Sequence, residues 1–464
     1  MSHMIIAYEN DEINICNDTC DSSNCEYCEC KCRVQYFNEI KDLCDNDLLD
    51  GIKIKRIKNG DEIIKCGGYC GYFQLKDGTE IFILPKVTTK DRLEGEQIFK
   101  NLIFSAYNIK NIKIASDSDT DLNRTNLFLQ ILITIFCSFM EKLFKRGIKK
   151  FYSLEQENLP YLKGKIIFPE HIKRNITSKE KFYVEYDEFT DDIPENRILK
   201  SACEYLLQKS NEENKKFLRR FLFEFSNIEQ CKNLDKDFAK IQSNRLFNHY
   251  EQPLRFAEAF LRNKSFNPVH GNKKIPALLF SMHDLFEDYI KNLLQGFKKE
   301  LNFDFKFQYS PHYLITENIA KKATMFKTKM DFVLWNKNKD KAIIFDAKYK
   351  LINLKKDVEE SQFNNDEEKN EEKFHYNTTN ISQHDLYQVF AYSEIIKKCE
   401  PKIKEVEIAL LYPKTDNFLK SKSYYYFNGT KLTFIPIVLN GENEKIFENN
   451  SELRTFIKDH FSLS

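Results

Sequence analysis

At 464 residues and 55.2 kDa the chain is too long for one ordinary domain, and two or three are expected. Hydrophobic residues make up 42% and aromatics 14%, enough for packed cores, so a wholly disordered chain is excluded. The 71 Lys+Arg against 70 Asp+Glu leave a net charge of +1, so any surface for nucleic acid has to be local. The start, MSHMIIAYENDE, has neither a basic stretch nor a long apolar one, so no secretory signal is read and the cytoplasm is the expected compartment. Residues 51–87 alternate apolar and polar, with Lys76-Asp77-Gly78-Thr79 as a hairpin turn between GYFQL and EIFILPKV. A helix follows over 94–110. From Asn126 to Gly147 the apolar spacing of three and four predicts a buried helix with a glycine stop. Its apolar run, Leu127 to Met140, is too short for a bilayer. KFYSLEQENLPYLKGKIIF reads as β, Pro194 opens a helix, and 211–262 continues helical and charged. Asn267 to Pro276 collects Pro, Gly and Asn and marks a boundary. After it come a helix from Ala277 to about Lys299, strands near 303–309, 313–316, 328–335 and 341–350, a helix near 383–398, the strand EVEIALLYP and a final β-rich segment. Between them, 355–373 holds eight Asp/Glu and four Lys, which predicts a solvated loop. The expected fold class is mixed α/β. Its three parts are a β-rich 1–110 with a Cys-rich insertion, a mostly helical 111–265, and 266–464 with a mixed central sheet flanked by helices.

Thirteen cysteines are unusual for a reducing compartment, where a disulfide framework does not persist. Six lie between Cys16 and Cys32. Cys25-x-x-Cys28 can place two thiolates on one zinc, and either Cys16-x-x-x-Cys20 or the Cys30/Cys32 pair can supply two more. The alternative is a polar insertion whose cysteines bind nothing. Cys137, Cys203, Cys231 and Cys399 read as small core residues.

The most informative segment is Met330 to Lys350, MDFVLWNKNKDKAIIFDAKYK. Two apolar strands flank a polar turn. With the turn centred between Asn338 and Lys339, an antiparallel hairpin pairs residues whose numbers sum to 677, which sets Asp331 across from Asp346. Lys348 points to the same side as Asp346. Like charges in that position repel, and a divalent cation between them turns the repulsion into ligation by hard oxygens. The alternative is an exposed hairpin with ordinary charges. Against it, Asp346 sits within AIIFDA, where an isolated buried carboxylate is costly.

This D…D-x-K pattern resembles the core of the PD-(D/E)XK nucleases, although Met330 stands where that name has proline. QHDLYQVFAYSE places Asp385, Gln388 and Tyr392 on one stripe of a helix, and resembles the QxxxY motif of RecB-like members. Glu287, in SMHDLFEDYIKNLL, lies on the helix before the core strands, where the superfamily often carries an acidic metal ligand. Its other reading is a surface i,i+4 pair with Lys291.

Further blocks resemble the McrC family in order: GYFQLKDGTEIFILPKV, LFKRGIKKFYSLEQENLPYLKGKIIF, and a D-x-x-x-N-R-x-L-K helix start carried by Asp192, Asn196, Arg197, Leu199 and Lys200. MHDLFEDYI, DFVLW, IIFDAKYK and DLYQVFAY follow. The Cys16–Cys32 segment and the length of 355–373 depart from the family. The resemblance implies the nuclease subunit of an McrBC-type modification-dependent restriction system, which docks on and stimulates an AAA+ GTPase oligomer and cuts DNA. It also implies Mg²⁺ or Mn²⁺ held by Asp331 and Asp346, with Glu287 as a further ligand. Lys348, Gln388 and Tyr392 complete the implied site. The chain has no G-x-x-x-x-G-K-[ST] phosphate loop, so it is not expected to hydrolyse nucleotide alone. Residues 1–265 are the expected docking part, with Arg197 either contributing there or pairing locally with Asp192. The basic stretches Lys142–Lys150 and Lys321–Lys329 are candidate phosphate contacts or solvated faces. The rival readings are a stand-alone RecB-like repair nuclease and a non-catalytic ring-docking adaptor.

Overall fold

A computed structural model describes the chain from Met4 to Phe461 apart from 16–30, 33, 46–48, 50, 57–61, 76–78, 87–91, 108, 110–126, 242–244, 263–277, 311–312, 319–320, 355–379 and 442–444. The expected zinc ligands Cys16, Cys20, Cys25 and Cys28, the Asn267–Pro276 boundary and the 355–373 insertion lie outside the described residues.

The fold is mixed α/β. The expected hairpin forms between Tyr69–Gln74 and Glu80–Leu84, and Met4–Tyr8 joins it in parallel. Period-two alternation sorts the hairpin's side chains. Tyr72, Phe82 and Leu84 enter the main core. Phe73, Ile81 and Ile83 face a smaller core with helix Val34–Asp45 and a second sheet. The sheet's fourth strand is Leu278–Ser281, which had been expected to begin a helix. A short apolar run such as LLF fits either element, and the free edge at Tyr69–Gln74 decides it. The pairing needs glycine at Gly71, where a Cβ would lie 1.8 Å from the Leu278 carbonyl oxygen. Ser281 then caps helix Met282–Leu301, its Oγ accepting the Asp284 N–H at 3.3 Å. The C-terminal part thus supplies one strand to the N-terminal sheet.

Helix Leu127–Arg146 is the hub of the middle part, buried at every position from Leu129 to Met140. Gly147, at φ 93°, ends it as expected. Gln130 is accommodated there because it donates to the Lys209 carbonyl (2.8 Å) and accepts the Asn211 N–H (2.9 Å). Helices Pro194–Leu207, Glu212–Glu224 and Glu251–Arg262 pack around the hub. Arg197 takes the local option, a two-bond ion pair with Asp192 at 2.6 Å. Asn196 donates to the carbonyls of Lys149 (3.0 Å) and Asp191 (2.8 Å).

Those bonds clamp the root of a separate three-stranded sheet. Phe151–Leu159 pairs antiparallel with Phe182–Thr190 along its whole length, and Lys165–Ile166 adds to the second strand. The sequence reading had the first strand but not the second. Gly164 (φ 72°) lies where a Cβ would sit 2.3 Å from the Glu185 carbonyl oxygen.

The C-terminal part carries a six-stranded mixed sheet, in the order Asp304–Tyr309, Met330–Trp335, Lys341–Ala347, Glu405–Pro413, Lys431–Ile437, Lys422–Tyr425. Helix Met282–Leu301 covers one face, through Phe345 and Ala347. Helix Gln383–Cys399 covers the other, through Ala342 and Ile344. Lys321–Lys327, read only as a basic stretch, is a strand paired with Tyr313–Asn318. Of the scattered cysteines, Cys137 and Cys203 are core residues, whereas Cys231 is half-buried and Cys399, on the last turn of its helix, is exposed.

Candidate active site

The hairpin pairs Phe332 with Phe345, Val333 with Ile344, Leu334 with Ile343 and Trp335 with Ala342, all summing to 677. Asn336 closes the turn, its side-chain oxygen accepting the N–H groups of Asp340 (3.1 Å) and Lys341 (3.2 Å). Asp331 and Asp346 follow the last paired residues, one on each strand. Asp331 Oδ2 accepts the Ala347 N–H at 2.9 Å.

Both carboxylates are buried, Asp346 with 1% exposure. Burial, then the charge of Asp331, pushes the Asp346 carboxyl up to about 6. Burial and then the charge of Glu287 raise Asp331 as well. Lys348 Nζ lies 2.6 Å from Asp346 Oδ2. Burial alone would lower the Lys348 ammonium, but the Asp346 charge, with Asp331 and Asp385 adding, outweighs it and raises it. Lys348 is therefore held as a cation.

Helix Gln383–Cys399 extends this chain of contacts. Lys348 Nζ donates to Gln388 Oε1 (3.4 Å), Gln388 Nε2 to Tyr392 Oη (3.0 Å), and Tyr392 Oη to the Lys329 carbonyl (2.8 Å). Asp385 shares the helix but not these contacts. It is buried and takes Lys350 Nζ on Oδ2 at 2.6 Å.

Glu287 is not the surface partner of Lys291, which pairs instead with Asp288 at 3.8 Å. It is buried on the sheet-facing side of its helix. Its Oε1 lies 3.2 Å from His283 Nε2, and its Oε2 accepts from Gln308 Nε2 at 3.5 Å. Burial raises its carboxyl, and the charges of Asp284 and then Asp346 add to this. The sequence reading missed His283 and Gln308. An i,i+4 His–Glu spacing could have flagged His283, but nothing in the sequence singles out Gln308.

Three carboxyls that raise one another, beside a fixed ammonium, form a site short of positive charge. Asp346 Oδ2 is buried and lacks a well-directed hydrogen bond despite its ion pair. An all-oxygen donor set of this kind fits Mg²⁺ or Mn²⁺. The trio is looser than Glu405, Glu407 and His460, whose ligand atoms gather within 4.8 Å. An open set suits an ion that keeps several waters. The tighter group is occupied by lysines, Lys341 on Glu405 (3.2 Å) and Lys431 on Glu407 (3.3 Å).

The candidate phosphate contacts in Lys142–Lys150 are partly engaged within the fold. Lys149 is half-buried and pairs with Glu195 at 2.5 Å, and Lys142 donates to the Tyr107 carbonyl at 2.8 Å.

A family model described as "McrBC 5-methylcytosine restriction system component" matches residues 64–413, which include every element of this site. The chain belongs to the McrBC family. Among solved structures, this McrBC-family chain is similar to one in a refined half-complex from a tetradecameric assembly of Thermococcus gammatolerans McrB AAA+ hexamers with bound McrC. That match has a TM-score of 0.57 at 17% identity and covers 98% of this chain and 99% of that one. A second match is to a chain of the cryo-EM structure of the Thermococcus gammatolerans McrBC complex, at 19% identity and TM-score 0.37, covering 63% and 88%. No curated protein matches. Among the described residues no helix is long and apolar enough to cross a membrane.

Proposed function

We propose that this chain is the DNA-cutting subunit of an McrBC-type restriction complex, with a C-terminal domain of the PD-(D/E)XK kind. The observation that carries the reading is the junction of Asp331 and Asp346, on two adjacent strands, with Lys348 just past the end of the second and Glu287 brought to it from a helix. Asp331 and Asp346, with Glu287 beside them, would hold Mg²⁺ or Mn²⁺, which when bound supplies a Lewis acid for a phosphodiester and lowers the pKa of a water. Lys348, kept positive by Asp346, meets the negative charge that develops on the phosphate or orients the attacking water. Being kept positive, it does not serve as a general base. Gln388 and Tyr392 fix the ammonium through their hydrogen bonds and line the path of the DNA backbone.

The three-stranded sheet rooted at Asn196 is the proposed docking surface for a McrB-like AAA+ GTPase ring. It exposes Phe151, Tyr152, Leu154 and Phe189, each by more than half. Exposed apolar side chains concentrated on one small sheet mark an interaction site. The similarity to a chain of an assembly of McrB hexamers with bound McrC supports this occupant. The family description supports methylated DNA as the substrate.

The test uses the complete complex with its GTPase partner, methylated DNA and Mg²⁺. Lys348→Ala should slow cleavage by at least about 100-fold, with melting and partner binding retained. Cleavage by this variant at the wild-type rate sinks the assignment.

A further inference from the structure

Gln308 lies on the edge strand Asp304–Tyr309 with φ 49°, a left-handed conformation that a residue with a side chain adopts only under constraint. The strand pairs regularly from Asp304↔Trp335 to Phe307↔Phe332 and resumes at Tyr309↔Met330. The position left out is Gln308, opposite Asp331.

One consequence is a change of face. Phe305 and Phe307 pack against the main core, and Tyr309, which strict alternation would place beside them, crosses to the opposite face. There its ring meets Trp335 at 5.2 Å and 86°. The partner strand does the same. Phe332 and Leu334 lie in the main core, and Met330 in the other. Both strands therefore switch faces at the level of Asp331.

The switch accounts for the backbone but not for glutamine, since glycine adopts positive φ without strain. The side chain supplies the missing reason. Gln308 Nε2 donates to Glu287 Oε2 at 3.5 Å, from an exposed residue to a buried carboxylate. An amide orients a carboxylate and leaves its charge intact, whereas a lysine there would cancel the charge a cation needs.

Resting on the reading of Asp331 and Asp346 as metal ligands, we propose that Gln308 is a positioning residue of the metal site. Its left-handed backbone turns the amide onto Glu287 and holds that carboxylate toward Asp331 and Asp346.

Gln308→Gly separates side chain from backbone, because glycine keeps the turn and loses the amide. In the full-length protein without DNA, Mn²⁺ binding is measured by calorimetry and melting is followed without metal. The variant should melt at or above the wild-type temperature yet bind Mn²⁺ roughly tenfold more weakly, as losses of groups that orient ligands do. Combined with Glu287→Gln, it should weaken binding little beyond Glu287→Gln alone, because both act through one carboxylate. Gln308→Asn, which also tolerates positive φ but ends one methylene short, should weaken Mn²⁺ binding with native melting, and it serves if the glycine variant folds poorly. Wild-type Mn²⁺ affinity in the glycine variant, or in the asparagine variant where that one is used, overturns the proposal and leaves the metal site standing. Wild-type Mn²⁺ affinity in Asp346→Ala overturns the metal-site reading and this proposal together.

Discussion

Asp346→Asn is expected to stabilise the metal-free protein while ending its cleavage activity. Asp346 is 1% exposed, and burial followed by the Asp331 charge raises its carboxyl from 3.8 to about 6. A shift of roughly two pH units corresponds to a penalty on the ionised folded state of about 3 kcal/mol. The folded state binds this proton more tightly than the unfolded state, so stability falls as pH rises from about 4 through about 6, and the penalty is complete at pH 8. The amide removes the titrating charge, and the shift is already net of the ion pair with Lys348, which favours the ionised form. The net gain at pH 8 is therefore at most about 3 kcal/mol. At roughly 2 cal/mol/K per residue over 464 residues, that is a rise in Tm of at most about 3 °C. Melting of chelator-treated protein between pH 4.5 and 8 is the assay, with Mn²⁺ added in a second series. The wild type should lose more Tm with rising pH than the variant does. Mn²⁺ should restore the wild type and leave the variant nearly unchanged. A variant that follows the wild-type pH profile, or melts below wild type at pH 8, refutes the reasoning.

Replacing Phe151 and Tyr152 together by serine should cut stimulation of the partner's GTPase without lowering Tm, since both rings are exposed; unchanged stimulation removes this sheet from the docking surface. Gly71→Ala should lower stability by at least about 2 kcal/mol, because its Cβ would press on the Leu278 carbonyl. Differential scanning calorimetry checks this, and a wild-type profile would mean that the 278–281 strand is not held against the N-terminal sheet.

Features that depend on near neighbours are legible in the residues alone. The hairpin register follows from a turn and two short strands, so centring NKNKDK was enough to find the pairs summing to 677, which run up to the residues beside Asp331 and Asp346. The end of the buried helix at Gly147 and the 69–84 hairpin are likewise written in adjacent residues. Contacts between distant segments exist only once the chain has folded. Whether Glu287 pairs on a surface or points into a site depends on which face of its helix the sheet covers, and that sheet is built from residues up to 150 positions away. Leu278–Ser281 became a strand because an edge formed by residues 69–74 was free to take it. Gln308 carries no local mark at all. Its left-handed backbone arises where two strands exchange faces beside Asp331, and an exposed glutamine in a strand acquires its meaning from the buried carboxylate it reaches.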